Sequence, residues 1–290
     1  MSLTFEAQTD HGLARAWRFA RKPWPEKTRS LCFRWLRMFP AVPLPMQLPF
    51  GGWWLIRNDA CSAAIMAGNF ENEETKFVAS YLRPDMTVLD VGAHHGYYTL
   101  LASRKVGRRG KVIAFEPSPR ERRYLKRHLK LNRCANVVVE ETALGNHSGE
   151  ADFYLVDGTE SGCNSIRLPD VAQPVQRLRV RLDQVDAYLE RNRIETVDFM
   201  KLDAEGAELQ ILEGAERLLT HVPRPVILAE VQDLRTRPWG YEASEILRHL
   251  DLRGFCLHRI SPSGELIHVP AERREYDGNF VAVPDERAMS

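Results

Sequence analysis

The sequence has few cysteines and no long apolar run, and each absence excludes a class of protein. Its five cysteines lie far apart and are never spaced as CxxC. This argues against a disulfide framework or a zinc ribbon and predicts a reducing, cytoplasmic compartment. The first thirty residues hold no apolar core of signal-peptide length. No apolar run reaches the roughly 18 residues that a membrane span needs.

Strong net charge is also absent from the chain as a whole. The formal net charge is +1 over 290 residues, so composition gives no sign of nucleic acid or another polyanion as a partner. The charge is unevenly distributed, because residues 11–37 include eight basic residues but a single acidic one, Glu26. The basic residues are Arg15, Arg18, Arg21, Lys22, Lys27, Arg29, Arg34 and Arg37.

This basic stretch also holds aromatic residues at roughly helical spacing. In residues 11–40, Trp, Phe and Leu are mixed with Arg and Lys, and the pattern breaks near Pro23 and Pro25. Two interpretations stay open: a helix pair that lies peripherally on a membrane or covers a lipid-like substrate, or an ordinary cap whose aromatics face the core. The prolines of the following FPAVPLPMQLPFGG predict a linker or extended arm. We therefore divide the chain into an N-terminal basic aromatic arm or cap, residues 1–68, and a domain of residues 69–290.

From Thr87 onward, short apolar runs alternate with amphipathic stretches. TVLDVG, KVIAFEP, NVVVEE, VDFMKLD and PVILAEV read as buried strands, and YYTLLASRKV, RERRYLKRHLKLN and AELQILEGAERLL read as helices. This alternation predicts an α/β fold with a mostly parallel sheet and helices on both faces. GEADFYLV and QRLRVRL look like an inserted pair of strands, and three final short strands predict an antiparallel C-terminal edge.

A glycine loop follows the first of these strands in VLDVGAHHGYYT, residues 88–99. It lacks the third glycine of a dinucleotide fingerprint and the GK[ST] ending of a P-loop. Gly92 and Gly96 allow a tight turn and close approach of a ligand. Asp90 suits an amino group and the start of the following helix suits a carboxylate. An α-amino acid moiety carries both groups.

The next strand ends in FEP, which places Glu116 at the neighbouring strand end. In nucleotide-binding α/β folds an acid there accepts hydrogen bonds from ribose hydroxyls. An amino-acid site beside a ribose site describes S-adenosylmethionine. We expect its adenine over the next loop, around Glu141, Thr142 and Ala143.

These motifs resemble the FkbM-type family of S-adenosylmethionine-dependent methyltransferases. The resemblance rests on TVLDVGAHHGYYT, FEPSP, ETALGNHSGEADFY, VRLDQVDAYL and above all VDFMKLDAEGAELQILEGAE, and it runs from about Asn69 to Pro284. It implies a class I, Rossmann-like methyltransferase fold and, usually, O-methylation of a sugar or natural-product hydroxyl. It also implies that Asp90, Gly92, Gly96 and Glu116 contact the cofactor. The His94–His95 pair, where a small residue and Asn are more usual, and the basic arm depart from the family pattern.

The loops that follow the predicted strands supply a larger set of expected cofactor contacts. These are Glu71, Asp90, Gly92, His94, Gly96, Thr99, Glu116, Pro117, Glu141, Thr142, Ala143 and Asp203.

An acceptor hydroxyl must be aligned with the methyl group and lose its proton, which a carboxylate or histidine within reach can accept. FMKLDAEGAE places Asp203 and Glu205 at one strand end and VILAEVQ places Glu230 at the next. We predict these three carboxylates as catalytic residues. Glu208 fits a structural role in the first turn of the following helix.

His95 is a fourth catalytic candidate, because one histidine of the cofactor loop could face the reacting centre. Asn164 and Ser165, in a polar loop after an inserted strand, are candidate substrate contacts. Clustered carboxylates suit Mg²⁺. Their spacing carries no ligand signature, so we expect no metal.

We therefore predict an S-adenosylmethionine-dependent O-methyltransferase that acts on a hydroxyl of a small acceptor such as a sugar, lipid-linked saccharide or natural product. An N-methyltransferase, or a non-catalytic S-adenosylmethionine-binding protein on the same scaffold, stays open. A nucleic-acid methyltransferase is disfavoured by the near-zero net charge and by the absence of any Pro-Pro pair, which excludes an NPPY-like run.

Overall fold

The computed structural model describes residues 25–39, 42–158, 161–269 and 276–285. Residues 1–24 and 40–41 of the predicted arm lie outside the described residues, so most of the predicted helix pair is not addressed by the structure. Within the described parts, no helix is long and apolar enough to cross a membrane.

The N-terminal part consists of a helix, a hairpin and a second helix. These are α1 (Glu26–Met38), β1 (Leu44–Gln47), β2 (Trp53–Ile56) and α2 (Ala60–Ala67). The proline-rich segment is extended as predicted, but it pairs antiparallel with β2 in a hairpin instead of running free. Asp59 begins α2, because its side chain accepts a hydrogen bond from the Ser62 amide, and Gly68 ends it in the left-handed conformation.

The remaining elements alternate as the sequence predicts. They are α3 (Asn72–Tyr81), β3 (Thr87–Val91), α4 (Tyr97–Val106), β4 (Lys111–Phe115), α5 (Pro119–Asn132), β5 (Val137–Glu140), β6 (Ala143–Leu144), β7 (Gly149–Val156), β8 (Val175–Asp183), α6 (Val185–Arg191), β9 (Phe199–Leu202), α7 (Glu208–Glu213), α8 (Glu216–Thr220), β10 (Val226–Gln232), α9 (Asp233–Thr236), α10 (Ser244–Asp251), β11 (Phe255–Ile260), β12 (Leu266–His268) and β13 (Asp277–Pro284).

An eight-stranded sheet forms the centre of the fold, in the order β12-β11-β13-β10-β9-β3-β4-β5. Within this sheet, β10, β9, β3, β4 and β5 run parallel to one another. The strands β13, β11 and β12 each pair antiparallel with their neighbours. This is the predicted mostly parallel sheet with an antiparallel C-terminal edge. The inserted pair, β7 and β8, forms a separate three-stranded sheet with β6.

Both faces of the central sheet are buried, because successive side chains of a strand point to opposite faces. In β3, Leu89 and Val91 belong to one core cluster, and Val88 belongs to the other. Helices cover both clusters, as expected for a doubly covered parallel sheet.

The hairpin and α2 share the second of these clusters with the rest of the domain. Met46, Trp54 and Ile65 pack in the same cluster as Phe77 and Leu100. The predicted division at residue 68 falls between α2 and α3, and side chains on both sides of it contribute to this core.

The helix predicted over AELQILEGAERLL is broken at Gly214 into α7 and α8. A Cβ at Gly214 would lie 2.1 Å from the carbonyl oxygen of Gly145. The β6 loop therefore crosses the helix at a point where only glycine fits, which explains the break.

Candidate cofactor and acceptor site

A cavity of about 450 Å³ opens at the carboxyl ends of the parallel strands. In open α/β sheets ligands bind at this edge. The cavity is lined by the glycine loop after β3, by the strand ends of β4, β9 and β10, by α2 and the segment before α3, and by the segment between β7 and β8.

The glycine loop is held tightly between two strands. The amides of Gly92 and Ala93 both donate to the carbonyl oxygen of Phe115, at 3.1 and 3.0 Å. Gly92 has φ +79°, and a Cβ there would lie 1.7 Å from the carbonyl oxygen of Asp203. Glycine is therefore required because the turn after β9 crosses directly against the loop.

Asp90 and Glu116, the two acids predicted to hold the cofactor, both line this cavity. They end adjacent parallel strands, β3 and β4, and both are buried. The amide of His94 donates to Oε2 of Glu116 at 2.7 Å, and the amide of Ser118 donates to Oε1 at 2.9 Å. Burial nevertheless raises the pKa of Glu116 to about 8.

Lys201 is a buried cation among the carboxylates of this site. It lies opposite Asp90 in the strand register, and its Nζ lies 2.6 Å from Oδ2 of Asp203 and 4.9 Å from the centre of the Tyr98 ring. The Tyr98 hydroxyl in turn donates to Glu71 at 2.6 Å. Burial would lower the pKa of Lys201, but the charges of Asp203, Glu71 and Asp90 raise it, so it stays an ammonium.

Asp203, Glu205 and Glu230 converge at the ends of β9 and β10. A carboxylate oxygen of each lies within 4.8 Å of the others, and all three line the cavity. Burial would raise the pKa of Asp203, but Lys201 lowers it below its ordinary value. Burial and the Asp203 charge raise the pKa of Glu205 to about 8 and that of Glu230 well above its usual range. Within the cluster, negative charge is therefore favoured on Asp203 and disfavoured on Glu205 and Glu230.

The turn that carries Glu205 is fixed by an ion pair on one side and by hydrogen bonds on the other. Glu205 has φ +56°, and its carboxylate lies 3.0 Å from Nε of Arg235. Glu208 is buried, and its Oε1 accepts hydrogen bonds from the amides of Ala204 and Gly206. Burial raises the pKa of Glu208 to about 7. Its contacts are those of a helix-capping residue.

His95 lies in a second polar cluster behind the glycine loop. Its Nε2 is 2.5 Å from Oε2 of Glu121 and 3.0 Å from the guanidinium of Arg57, and its Nδ1 faces Asp59 at 3.8 Å. His94, whose pKa burial lowers to about 3, interacts electrostatically with Asp203, whereas His95 is held by its own partners. His95 also lines the cavity, and its catalytic role stays a prediction, while its ring partners help to hold the loop.

The other expected contacts divide into two groups. Glu71, Gly92, His94, Pro117, Thr142 and Ala143 line the cavity, as do Asn164 and Ser165. Thr99 donates to Asp90 Oδ2, and it and Gly96 support the wall without lining it. Glu141 is exposed and pairs with Arg122 at 3.0 Å, so its expected adenine contact is not supported.

The two substrate candidates are partly engaged already. Oδ1 of Asn164 accepts a hydrogen bond from the Val156 amide at 2.9 Å. The Ser165 hydroxyl donates to the carbonyl oxygen of Glu205 at 3.2 Å. Both therefore shape the acceptor side of the cavity through the turn and the inserted sheet.

Sequence reasoning missed Lys201, Tyr98 and Arg235. A lysine inside the apolar strand FMKLD was an available signal, because a buried lysine needs a charged partner. Arg235 follows β10 in a short helix that carried no recognisable pattern.

The acidic cluster also has the spacing of a possible cation site. Lys201 on Asp203 and Arg235 on Glu205 already supply two positive charges there. The cluster therefore requires no ion to balance its charge.

Comparison with known proteins relates this site to one enzyme family. A family model described as "Methyltransferase FkbM domain" matches residues 90–257. Methyltransferase 1 of Beauveria bassiana is 24% identical over a match of 152 residues, and the match covers 46% of this chain and 59% of that protein. Methyltransferase sdnD of Sordaria araneosa is 25% identical over a match of 201 residues, and the match covers 59% of this chain and 74% of that protein.

A further relative is the AMB antimetabolite synthetase AmbE of Pseudomonas aeruginosa, which is 30% identical over a match of 209 residues. This match covers 60% of this chain but 10% of that protein. The match thus spans 59% and 10% of the lengths of Methyltransferase 1 and AmbE. Among solved structures, methyltransferase FkbM from Methylobacillus flagellatus is similar with a TM-score of 0.43 and 13% identity, over 93% of this chain and 58% of that chain.

Proposed function

This chain belongs to the family of FkbM methyltransferases, and from that premise we propose that it transfers a methyl group from S-adenosylmethionine to a hydroxyl of a small acceptor. The acceptor classes that we propose are a sugar, a lipid-linked saccharide or a natural product. An amine acceptor, and cofactor binding without turnover, are the rival outcomes that the experiment below separates.

The carboxyl groups of the cavity support a cationic cofactor. Six of them line it together with the two cations Lys201 and Arg235. S-adenosylmethionine carries a sulfonium and an ammonium group, and binding of these cations would favour the ionised form of acids such as Glu116, whose pKa is raised in the free protein. In this proposal Asp90 and Glu71 receive the amino end, Glu116 receives the ribose hydroxyls, and Thr142 lies by the adenine.

When bound, S-adenosylmethionine supplies an electrophilic methyl group on its sulfur. The residues of the chain must then hold the acceptor oxygen in line with that group and accept its proton. The glycine loop and the buried acids Asp90 and Glu116 form one side of this geometry. The carboxylate cluster lies on the other side, where the acceptor enters.

The observation that carries the proposal is the asymmetry within this carboxylate cluster. Asp203, ionised beside Lys201, is the group we assign to accept the hydroxyl proton. Glu230, whose pKa is raised by burial and by the Asp203 charge, hydrogen-bonds Asp203, so it orients that carboxylate. Its Oε2 is buried without a partner among the described residues. Glu205, held by Arg235, forms the neighbouring polar wall that would contact the acceptor.

The test is a turnover assay with methyl-labelled S-adenosylmethionine and a panel of free hexoses, phenyl glycosides, amino sugars and polyprenyl-phosphate-linked sugars. Release of S-adenosylhomocysteine, with label on an oxygen of the product, would support the proposal. Label on a nitrogen would replace it with N-methylation. Tight cofactor binding without S-adenosylhomocysteine across the panel would favour a binding protein.

We also propose, as part of this function, that the N-terminal arm contacts a membrane peripherally. Of residues 11–40, the structure describes 25–39, which include α1.

A further inference from the structure

Helix α1 exposes a row of large apolar side chains. Leu31, Trp35, Met38 and Phe39 are 63%, 42%, 66% and 43% exposed. The spacing of Leu31, Trp35 and Met38 by four and three residues places these three on one face of α1, and Phe39 follows directly after its last residue. The rings of Trp35 and Phe39 lie 4.6 Å apart, so they form one continuous surface. We call these four residues the outer stripe.

A different face of α1 attaches the helix to the domain. Leu36 is buried, and Cys32 and Phe33 pack against the same core cluster. The core contacts of α1 are therefore made without the outer stripe. A surface helix of a water-facing protein normally carries polar residues at such positions, and adjacent exposed apolar side chains of this size mark an interaction surface.

Basic residues run along one edge of the outer stripe. Lys27 precedes Leu31 by four residues, and Arg34 precedes Met38 by four, so each lies beside an apolar member of the stripe. Arg37 is exposed in the last turn, and Glu26 is the acid of this helix. Long basic side chains at the edge of an apolar surface can extend their charged ends towards lipid headgroups while their stems lie along it.

We propose that the outer stripe docks on the surface of an anionic phospholipid bilayer, with Lys27, Arg34 and Arg37 at the headgroups. Apolar and aromatic residues on one face with basic residues beside them are the pattern of a helix that lies in the membrane interface. Because Lys27, Arg34 and Arg37 beside the outer stripe are basic, an anionic lipid surface is the occupant whose charge complements them. The inference deepens the membrane contact named in the proposed function, and it specifies the residues that make it.

The experiment is flotation of the full-length protein with vesicles of phosphatidylcholine, alone or mixed with phosphatidylglycerol. Three variants are compared with the wild type: Trp35→Ser with Met38→Ser, Lys27→Gln with Arg34→Gln, and the control Leu252→Ser with Ile267→Ser. The control removes apolar side chains that are 73% and 54% exposed elsewhere on the surface.

We expect the wild type and the control to float with the anionic vesicles and less with the neutral ones. Each α1 variant should lose about ten-fold or more in partitioning, and added salt should weaken wild-type binding. Three results would overturn the proposal: a wild type that does not float, α1 variants that float like the wild type, or a dimer by light scattering that the Trp35→Ser and Met38→Ser variant converts to monomer.

Calorimetry with S-adenosylmethionine on the same samples separates this proposal from the proposed function. Loss of flotation with retained cofactor binding concerns the outer stripe alone. A wild type that floats but binds no S-adenosylmethionine would remove the proposed function and leave the docking surface standing.

Discussion

The ammonium of Lys201, a buried side chain, lies 2.6 Å from Oδ2 of Asp203, which is partly exposed in the cavity. Lys201 also neutralises Asp90 and Glu71, which approach it from other elements. One buried lysine thus allows three acidic side chains to share a small volume. This arrangement makes the site a charge network in which no member can be changed alone without cost.

The first prediction concerns this network. Lys201→Met should lower the free energy of unfolding by about 3 kcal/mol, because it leaves buried carboxylates without their cation. Urea denaturation measures the loss. The double variant Lys201→Met with Asp203→Asn should lose less than the sum of the two single variants. Arg109→Met, which breaks an exposed pair with Asp85, is the control and should change little. Equal stability of Lys201→Met and wild type would contradict the assignment.

The second prediction distinguishes the proton acceptor from its neighbour. Asp203→Asn removes the ionised carboxylate and should reduce kcat by about 10²–10⁴-fold on any acceptor found in the panel. Glu230→Gln keeps a side chain that can donate a hydrogen bond to Asp203, in place of a carboxyl group whose pKa is raised, so the reduction should stay below about ten-fold. If the two effects were reversed, Glu230 would be the base.

The third prediction concerns the crossing of two chain segments. Gly92→Ala should lower the melting temperature strongly, since its Cβ would overlap the backbone oxygen of Asp203. Gly240 is the matched control: its φ is +86°, close to the +79° of Gly92, but the space beside it is open. Gly240→Ala should cost only about 1 kcal/mol of backbone strain. Similar melting temperatures for the two variants would show that the loop can move away from Asp203.

The fourth prediction is a pH dependence of cofactor binding. Without ligand the pKa of Glu116 is about 8, whereas ribose hydroxyls and a cationic ligand favour its ionised form. Binding should therefore release protons and tighten by up to about ten-fold per pH unit between about pH 6 and about pH 8, then level off. Calorimetry in buffers of different ionisation enthalpy counts the protons. Affinity that is constant over this range would contradict the role of Glu116.

The stability of the free protein should change in the opposite direction. Glu116 keeps its proton in the folded state up to about pH 8 but loses it near its ordinary pKa when unfolded. The folded state therefore binds more protons across this window, and the contribution of Glu116 to the free energy of unfolding falls as pH rises. Thermal unfolding with and without S-adenosylmethionine should show the two opposite trends.

The order of strands and helices could be predicted because burial on both faces of a parallel sheet leaves continuous apolar runs. The acids Asp90, Glu116, Asp203 and Glu230 could be placed because each ends such a run, and parallel strand ends meet at one edge. That the proline-rich segment forms a hairpin could not be seen, because extended backbone alone does not identify its pairing partner.

Contacts between distant segments account for the rest. His95 lines the cavity, as its place in the cofactor loop predicts, but its ring partners Arg57, Asp59 and Glu121 come from distant segments and could not be predicted. Glu141 lies in the expected loop, yet Arg122 pairs with it outside the cavity. Local sequence identifies which residues are polar, whereas only the fold decides which partner each of them finds.

The central claim is that Asp90 and Glu116, at the ends of two adjacent strands, bind S-adenosylmethionine. Calorimetric titration of that molecule into wild type, Asp90→Asn, Glu116→Gln and the exposed-site control Glu141→Gln tests it most directly. We predict equal affinity for wild type and Glu141→Gln, and affinity about ten-fold or more weaker for the other two. No binding to wild type, or full affinity in both variants, would contradict the account.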